Sequence, residues 1–570
     1  MCGIDSYCKN PGYFYDLIFN YLYMSISRRD FVALGLGLAG STFIDPLDLI
    51  KSPQPVLDQA FINRHKRIIE AYILKAMESV YYQGGELFTD SYRSEYKYIE
   101  RVVSYYDYGA TGISVLASLV SEGNQRAVRM MKQIQKNIRY YHEYIHGTDV
   151  GGHLEGRVWN VPLRRLLLHI ALAYKVMEPN LNKDEKRWYS DLADQQVTLA
   201  IQYNENFFPG ETRLKRTNAN NHTAIFMQGI YYCGLVFNRP EWVQMMKEFA
   251  GRMYDCIRPD GYFEENTNEA HEGGPSMVYT RLTLGCLYDV LDGKNYSQEK
   301  FVNAGNFYRS FVNHRYEMIS IADERTNCHN AKGLDYGLAL HSLTPRGRYY
   351  IKDNLDNLDY KWLSIESLAV IYHELDLMKT GEYEIPENRL EGNSRIELPL
   401  GIVRKNGFTA GLSALMALNR LIRPDSDYAL DQQNMVYLSN EKAGLILTGY
   451  KSKNDPRFST FRINDDAYTI RTGELEMGNG WAEATLYYKT FTARIRWEIG
   501  DTAKLILLSD TDRVITTSLT VVNEKYIKTG NKFDIVYLDG FSPYTESNKA
   551  EKIKTVVFNW SRELVVEFIC

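Results

Sequence analysis

The sequence predicts an α+β chain of two unlike domains, an N-terminal helical domain followed by an antiparallel β-sandwich. Three observations carry that expectation. With 570 residues the chain exceeds what one hydrophobic core ordinarily serves. From residue 56 to residue 380 apolar residues recur at three- and four-residue spacing, the period of a helix face. Beyond residue 396 the period falls to two, and β-branched and aromatic residues gather in short runs.

The helical region divides at Gly, Pro, Asn and Asp clusters, which act as turns. Residues 126–143 carry Val128, Met131, Ile134, Ile138 and Tyr141 on one stripe. Residues 161–177 carry Leu163, Leu166, Leu167, Ile170, Ala173 and Met177 on another, with Pro162 suited to a helix start. Further helices are expected near 56–83, 109–121, 184–203, 221–237, 240–256, 276–292, 297–313 and 362–379. About ten to twelve helices with short links imply stacked antiparallel pairs, as a closed toroid or an open solenoid. Gly381, Pro386 and Gly392 mark 381–396 as a linker. The sandwich is expected over 397–570, with strands at 399–404, 434–438, 444–450, 467–471, 482–499 and 503–508. Lys405-Asn406-Gly407 and Gly478-Asn479-Gly480 supply turn chemistry between strands.

Composition narrows the function. Lys and Arg number 66 and Asp and Glu 71, so the net charge is −5 and no nucleic-acid footprint is expected. Tyrosine is abundant at 44 residues, and its apolar ring with a polar tip suits sugars as well as helix interfaces. The seven cysteines match neither a zinc motif nor a disulfide framework, and most are expected to be buried small hydrophobes. His146, His153 and Glu155 show no ligand spacing, so neither metal nor other cofactor is expected.

Residues 1–45 are expected to be an N-terminal extension with an export signal. Ser27-Arg28-Arg29-Asp30-Phe31-Val32 precedes a short, Gly-rich apolar stretch ending at Phe43, the twin-arginine pattern. The stretch is too short to span a bilayer comfortably. A periplasmic or secreted protein is therefore expected, with no stable membrane span after export. Met24 lies at the usual distance before such a signal, so 1–23 is expected to be an upstream mis-start. The C-terminal run reads as a strand cut at Cys570.

The sharpest chemical feature is Thr217-Asn-Ala-Asn-Asn-His-Thr223 at the start of an expected helix. One Asn is explained by N-capping; Asn220, Asn221 and His222 together are not. Such a set suits β-elimination from a uronic acid. An Asn amide can quench the carboxylate's charge without titrating, and a His near its ordinary pKa can take the α-proton. A Tyr hydroxyl can protonate the leaving oxygen or act as base, and an Arg can hold the carboxylate. The segment from Arg258 through Asp260-Gly261-Tyr262-Phe263 to Tyr279 and Arg281 offers Tyr262, Glu265, Asn266 and His271 as nearby substrate contacts. Tyr279 falls about one turn inside a helix opened by Pro275. Arg157 and Trp159 can form a sugar-binding wall, Arg325 and His329 another, and Arg213, Lys215 and Arg216 can draw in an anionic polymer.

These motifs resemble polysaccharide lyases of the helical-toroid superfamily. Asn220-Asn221-His222-Thr223 is similar to the Asn-Asn-His-Ser motif of helical alginate lyases. Asp260-Gly261-Tyr262-Phe263 is similar to the Asp-Gly-Ser-Phe motif of the chondroitin AC and hyaluronate lyases, and 156–168 loosely resembles that family's Trp-to-Pro helix start. A toroid followed by a sandwich also matches heparinase-type lyases. The resemblance implies that Asn221 binds the uronate carboxylate and that His222 transfers a proton. The departures are that Asn266 stands where the chondroitin lyases have His, Pro275 where they have Tyr, and Arg281 follows Tyr279 instead of preceding the Tyr as in alginate lyases. Tyr279 and Arg281 thus rest on residue type and neighbourhood. The expected partner is an anionic polysaccharide. A glycoside hydrolase using two of Asp260, Glu264, Glu265, Glu269 and Glu272, and a non-catalytic glycan binder, are the competing readings.

Overall fold

The computed structural model describes residues 55–87, 110–147, 162–203, 221–263, 277–291, 296–322, 336–385, 391–415, 435–448, 457, 460–463, 466–467, 472–540 and 551–570. The expected export signal lies outside them.

Twelve α-helices occur among the described residues, in two concentric layers that alternate along the chain. The outer layer is α1 (Gln59–Leu87), α3 (Gln125–Gly147), α5 (Lys183–Tyr203), α7 (Pro240–Tyr254), α9 (Gln298–Ser310) and α11 (Pro345–Asp356). The inner layer is α2 (Ile113–Ser121), α4 (Pro162–Met177), α6 (Asn221–Val236), α8 (Met277–Leu291), α10 (Leu338–His341) and α12 (Ile365–Leu377). Each inner helix packs on the next, and α12 packs back on α2, so the ring is closed and the solenoid alternative falls away.

Sequence decides the layer. Inner α2 buries Ile113, Ser114, Val115, Leu116, Ala117 and Leu119, nearly every consecutive residue. Outer α7 buries only the stripe Met246, Phe249, Ala250, Met253 and Tyr254. A helix apolar all round must be surrounded by protein, whereas a striped one keeps a face in water. Each fully buried aliphatic side chain contributes about 1.5–3 kcal/mol. The ring is also stapled: β1 (Val56–Leu57), before α1, pairs with β2 (Gly381–Glu382), after α12. Helices α10 and α11 were not individually expected; α10 is only 4 residues long, too short to show a period.

The described strands after β2 are antiparallel and form three sheets sharing one apolar core. The first runs β3 (Gly392–Arg395), β4 (Leu400–Lys405), β5 (Phe408–Ser413), β6 (Val436–Asn440) and β7 (Gly444–Leu447). The second has the order β10 (Thr472–Gly478), β11 (Trp481–Tyr487), β12 (Thr492–Ile499), β13 (Ala503–Ser509), β18 (Glu563–Phe568), β15 (Ile527–Lys528). The third has the order β16 (Phe533–Gly540), β17 (Glu551–Trp560), β14 (Ile515–Thr520), β8 (Arg462–Ile463), β9 (Asp466–Ala467). Asn406 and Gly407 both take positive φ in the two-residue turn joining β4 to β5, as its Asn-Gly sequence demands. The expected single strand 482–499 is two strands, β11 and β12. The break is the turn at 488–491, where two consecutive exposed residues, Lys489 and Thr490, interrupt the alternation.

The two regions share a buried seam. Leu400, Ile402, Tyr437 and Leu445 from the first sheet, and Ile396 between β3 and β4, belong to the helical core. Arg404 donates to the carbonyls of Ser310, the last residue of α9, and Val312, and Asn313 donates to the Tyr437 hydroxyl at 3.0 Å. The segment 381–396, expected as a linker, carries β2 at its start and β3 near its end. Cys233, Cys256 and Cys286 are buried thiols, as expected. No helix among the described residues is long and apolar enough to cross a membrane.

Candidate active site

Four inner helices, α4, α6, α8 and α12, point the same way. Arg165 and then His169 on α4 stand opposite Glu366 and then His373 on α12. Gln228 and then Tyr232 on α6 stand opposite Cys286 and then Asp289 on α8. Their N-terminal ends therefore gather at one mouth of the ring. The residues just before α10 join it, because the Tyr336 hydroxyl donates to Glu366 Oε1 at 2.9 Å and Glu366 pairs with Arg165.

Asn221 is the first residue of α6 and is 3% exposed. Arg281 sits near the start of the neighbouring α8, also 3% exposed, with Nε donating back to the Met277 carbonyl at 3.4 Å. The backbones of His222 and Tyr279 lie in the first turns of these same two helices. Arg157, Trp159, Asn220, Glu265, Asn266, His271, Arg325 and His329 lie outside the described residues. In sequence they fall in the segments that immediately precede α4, α6, α8 and the Tyr336 approach to α10.

Tyr262 was expected at the substrate. It is 2% exposed and its ring packs on Phe307 of α9 at 5.9 Å. Its loop turns at Gly261, with φ of 91°, directly against the Asn303 carbonyl, where any side chain would collide. Asp260 accepts from the Glu397 backbone N–H at 2.6 Å. The Asp-Gly-Tyr-Phe segment, as described, thus packs against α9 and the start of the β region.

About two turns below the mouth lies a cavity of about 20 Å³ on the ring axis, lined by Arg165, His169, Gln228, Cys286, His373 and Glu374 among others. Behind two of its lining residues stands Asp289, which accepts from His373 Nε2 at 2.8 Å, Gln228 Nε2 at 2.7 Å and the Tyr232 hydroxyl at 2.7 Å. Cys286 Sγ lies 3.2 Å from Gln228 Oε1, and Ser114 Oγ lies 2.9 Å from His169 Nδ1. Burial, then the charges of His373 and Arg165, push His169 down to about 3, so it is neutral. For His373 burial acts downward, but the charge and hydrogen bond of Asp289 outweigh it and its pKa is raised. Burial lifts Glu374 to about 7 against the pull of backbone N–H donors from Gly337 and Leu338. Burial and Asp289 together raise the Tyr232 hydroxyl.

This axial network was not expected from the sequence. Its signal was available all the same: charged residues interrupting apolar helices, as in Ile365-Glu-Ser-Leu-Ala-Val-Ile-Tyr-His-Glu-Leu375. Among the described residues, no cluster of His, Cys, Asp and Glu has the makings of a metal site.

The described architecture defines a class: a closed ring of paired helices followed by antiparallel sheets. Among solved structures it is similar to the Streptomyces coelicolor A3 chondroitin AC lyase in complex with chondroitin sulphate, with TM-score 0.54 and 11% identity over 90% of this chain and 82% of that one. It is likewise similar to heparinase III, with TM-score 0.50 and 11% identity over 82% of this chain and 77% of that one. These likenesses establish a shared fold. No protein-family model and no curated protein matches the sequence.

Proposed function

We propose that this protein is a polysaccharide lyase that cleaves a uronic-acid-containing polymer by β-elimination at the mouth of the helical ring. The observation that carries this reading is the placement of Asn221 and Arg281 at the starts of two adjacent parallel inner helices, on a fold shared with a chondroitin AC lyase and heparinase III. Four inner helices direct their N-termini to one end, and a helix N-terminus carries roughly half a positive charge. That field favours an anionic substrate even though the whole chain carries −5.

In this reading the Asn221 amide donates to the uronate carboxylate, and its near-complete burial makes that bond stronger than it would be in water. Arg281 balances the same charge. With the carboxylate quenched, the neighbouring C–H becomes acidic enough for His222 or Tyr279 to remove its proton. The other partner, or the same tyrosine, protonates the departing glycosidic oxygen. Trp159, Arg157, Asn220, Glu265, Asn266, His271, Arg325 and His329 are assigned to polymer binding. Residues 56–380 form the catalytic unit and 397–570 its support, with export by the twin-arginine route. A paired-carboxylate hydrolase draws less support. Asp289, Glu366 and Glu374 on the ring axis are all engaged by hydrogen bonds or ion pairing, and Asp260 faces the β region.

The test is a panel of uronate polymers incubated with the purified protein. Appearance of the ultraviolet absorbance of an unsaturated uronide is expected for at least one polymer. New reducing ends without that absorbance point to hydrolysis, and neither signal, with binding retained, points to a glycan binder.

A further inference from the structure

One buried carboxylate that lines the axial cavity joins three inner helices. Glu374 of α12 accepts from the Gly337 N–H at 2.8 Å and from the Leu338 N–H, the first two donors of α10. Gly337 has φ of 79°, and the carbonyl of Arg281 lies close to its α-carbon face. Gly285, one turn beyond Arg281 on α8, leaves the space through which the carboxylate reaches. A Cβ there would stand 2.9 Å from Glu374 Oε1 and 3.4 Å from the Gly337 nitrogen. A four-residue helix cannot hold itself in register, so an outside anchor must fix where it starts.

We propose that the Glu374 carboxylate is a positioning group for the candidate active site: it clamps the first turn of α10 against the Arg281 segment of α8 and, through Tyr336, against Glu366 and Arg165. The clamp needs an ionised carboxylate, because both oxygens must accept. Protonation turns one oxygen into a donor facing an N–H donor. The groups around it are His373 on its own helix, itself paired with Asp289, and Cys286 from α8, with Arg165 and His169 from α4 and Glu366 from α12 lining the same cavity. His169 is held neutral by burial, so the members that change charge near neutrality are Glu374 and His373, whose pKa is raised by Asp289, and the Glu374→Gln comparison separates them.

The sign follows from its lift to about 7 from 4.5. A carboxyl raised in the folded state adds stability that is present at low pH and is lost as pH climbs through the folded value. The clamp therefore tightens at the expense of global stability. The inference rests on the lyase reading only for the identity of the reaction.

The experiment is amide hydrogen exchange of Gly337 and Leu338 in the full chain between about pH 6 and about pH 8, corrected for intrinsic exchange. Protection is expected to rise roughly tenfold across that window, the size of a charge-assisted hydrogen bond. In Glu374→Gln it should be flat, and in Gly285→Ala it should be low throughout. The Tm of Glu374→Gln relative to wild type should also climb with pH. Flat protection in the wild-type protein alone overturns the proposal, even if the variants fail to fold. On a polymer the protein cleaves, the acidic limb of the wild-type kcat profile should be steeper than that of Glu374→Gln, which keeps only the titration of the catalytic base. If no polymer is cleaved, the lyase reading fails while the exchange result still decides the clamp.

Discussion

The helical core and the β core bury polar groups of different kinds. The helical core encloses His65, Glu70, His169, Arg281, Asp289, His341, Glu366, His373 and Glu374, all at most 9% exposed. The β core encloses mainly hydroxyls, among them Thr460, Thr517, Ser518, Thr520 and Thr555, with Arg462 beside them. Burying an ion costs several kcal/mol unless it is well paired, whereas a buried hydroxyl needs one partner. A ring that tolerates so many ionisable groups is maintaining an electrostatic environment around its axis; the β region is maintaining shape. Titratable groups displaced by burial and specific partners concentrate at functional sites, and here they lie under the mouth that holds Asn221 and Arg281.

The contrast can be broken from either side. The largest stability loss should come from Asp289→Ala, which strands His373, Gln228 and Tyr232 and should cost about 3–5 kcal/mol in denaturant unfolding. Asp289→Asn should show the pH sign. The His373 pKa is raised above 6.5, so its pairing stabilises fully below that value and the benefit fades as pH climbs past the folded value. The cost of Asp289→Asn should then shrink from acid to neutral and mildly alkaline pH; a cost independent of pH would remove the electrostatic distinction between the cores.

In the β core, Thr517→Val takes the acceptor from Trp560 Nε1, which lies 2.9 Å away, and should cost about 1 kcal/mol with no pH dependence. At the β surface, Arg562→Ala breaks an exposed pair with Asp512 and should cost at most about 1 kcal/mol, vanishing in high salt. A Thr517→Val cost that tracked pH would show that the β core is electrostatically coupled as well.

Period and composition were enough to read the helical half, because apolar spacing reports directly which face is buried. They also placed Asn221 at a helix start, where α6 begins. Ring closure was not legible. It depends on α12 packing against α2 and on the Val56–Glu382 pairing, contacts between residues far apart in sequence. Nor was the role of Tyr262: Asp-Gly-Tyr-Phe looks the same whether its aromatic ring meets a sugar or Phe307. The axial network escaped because its members are spread over separate helices, and only the ring brings Asp289, His373 and Gln228 together.

The central claim is that Asn221 quenches a substrate carboxylate at the ring mouth. The direct measurement is turnover of a cleaved uronate polymer by Asn221→Ala, with unfolding of the same sample monitored in parallel. Loss of a buried charge-stabilising donor predicts a fall in kcat of about 10²–10³-fold in a protein that still unfolds cooperatively. Wild-type turnover in the folded variant would contradict the account.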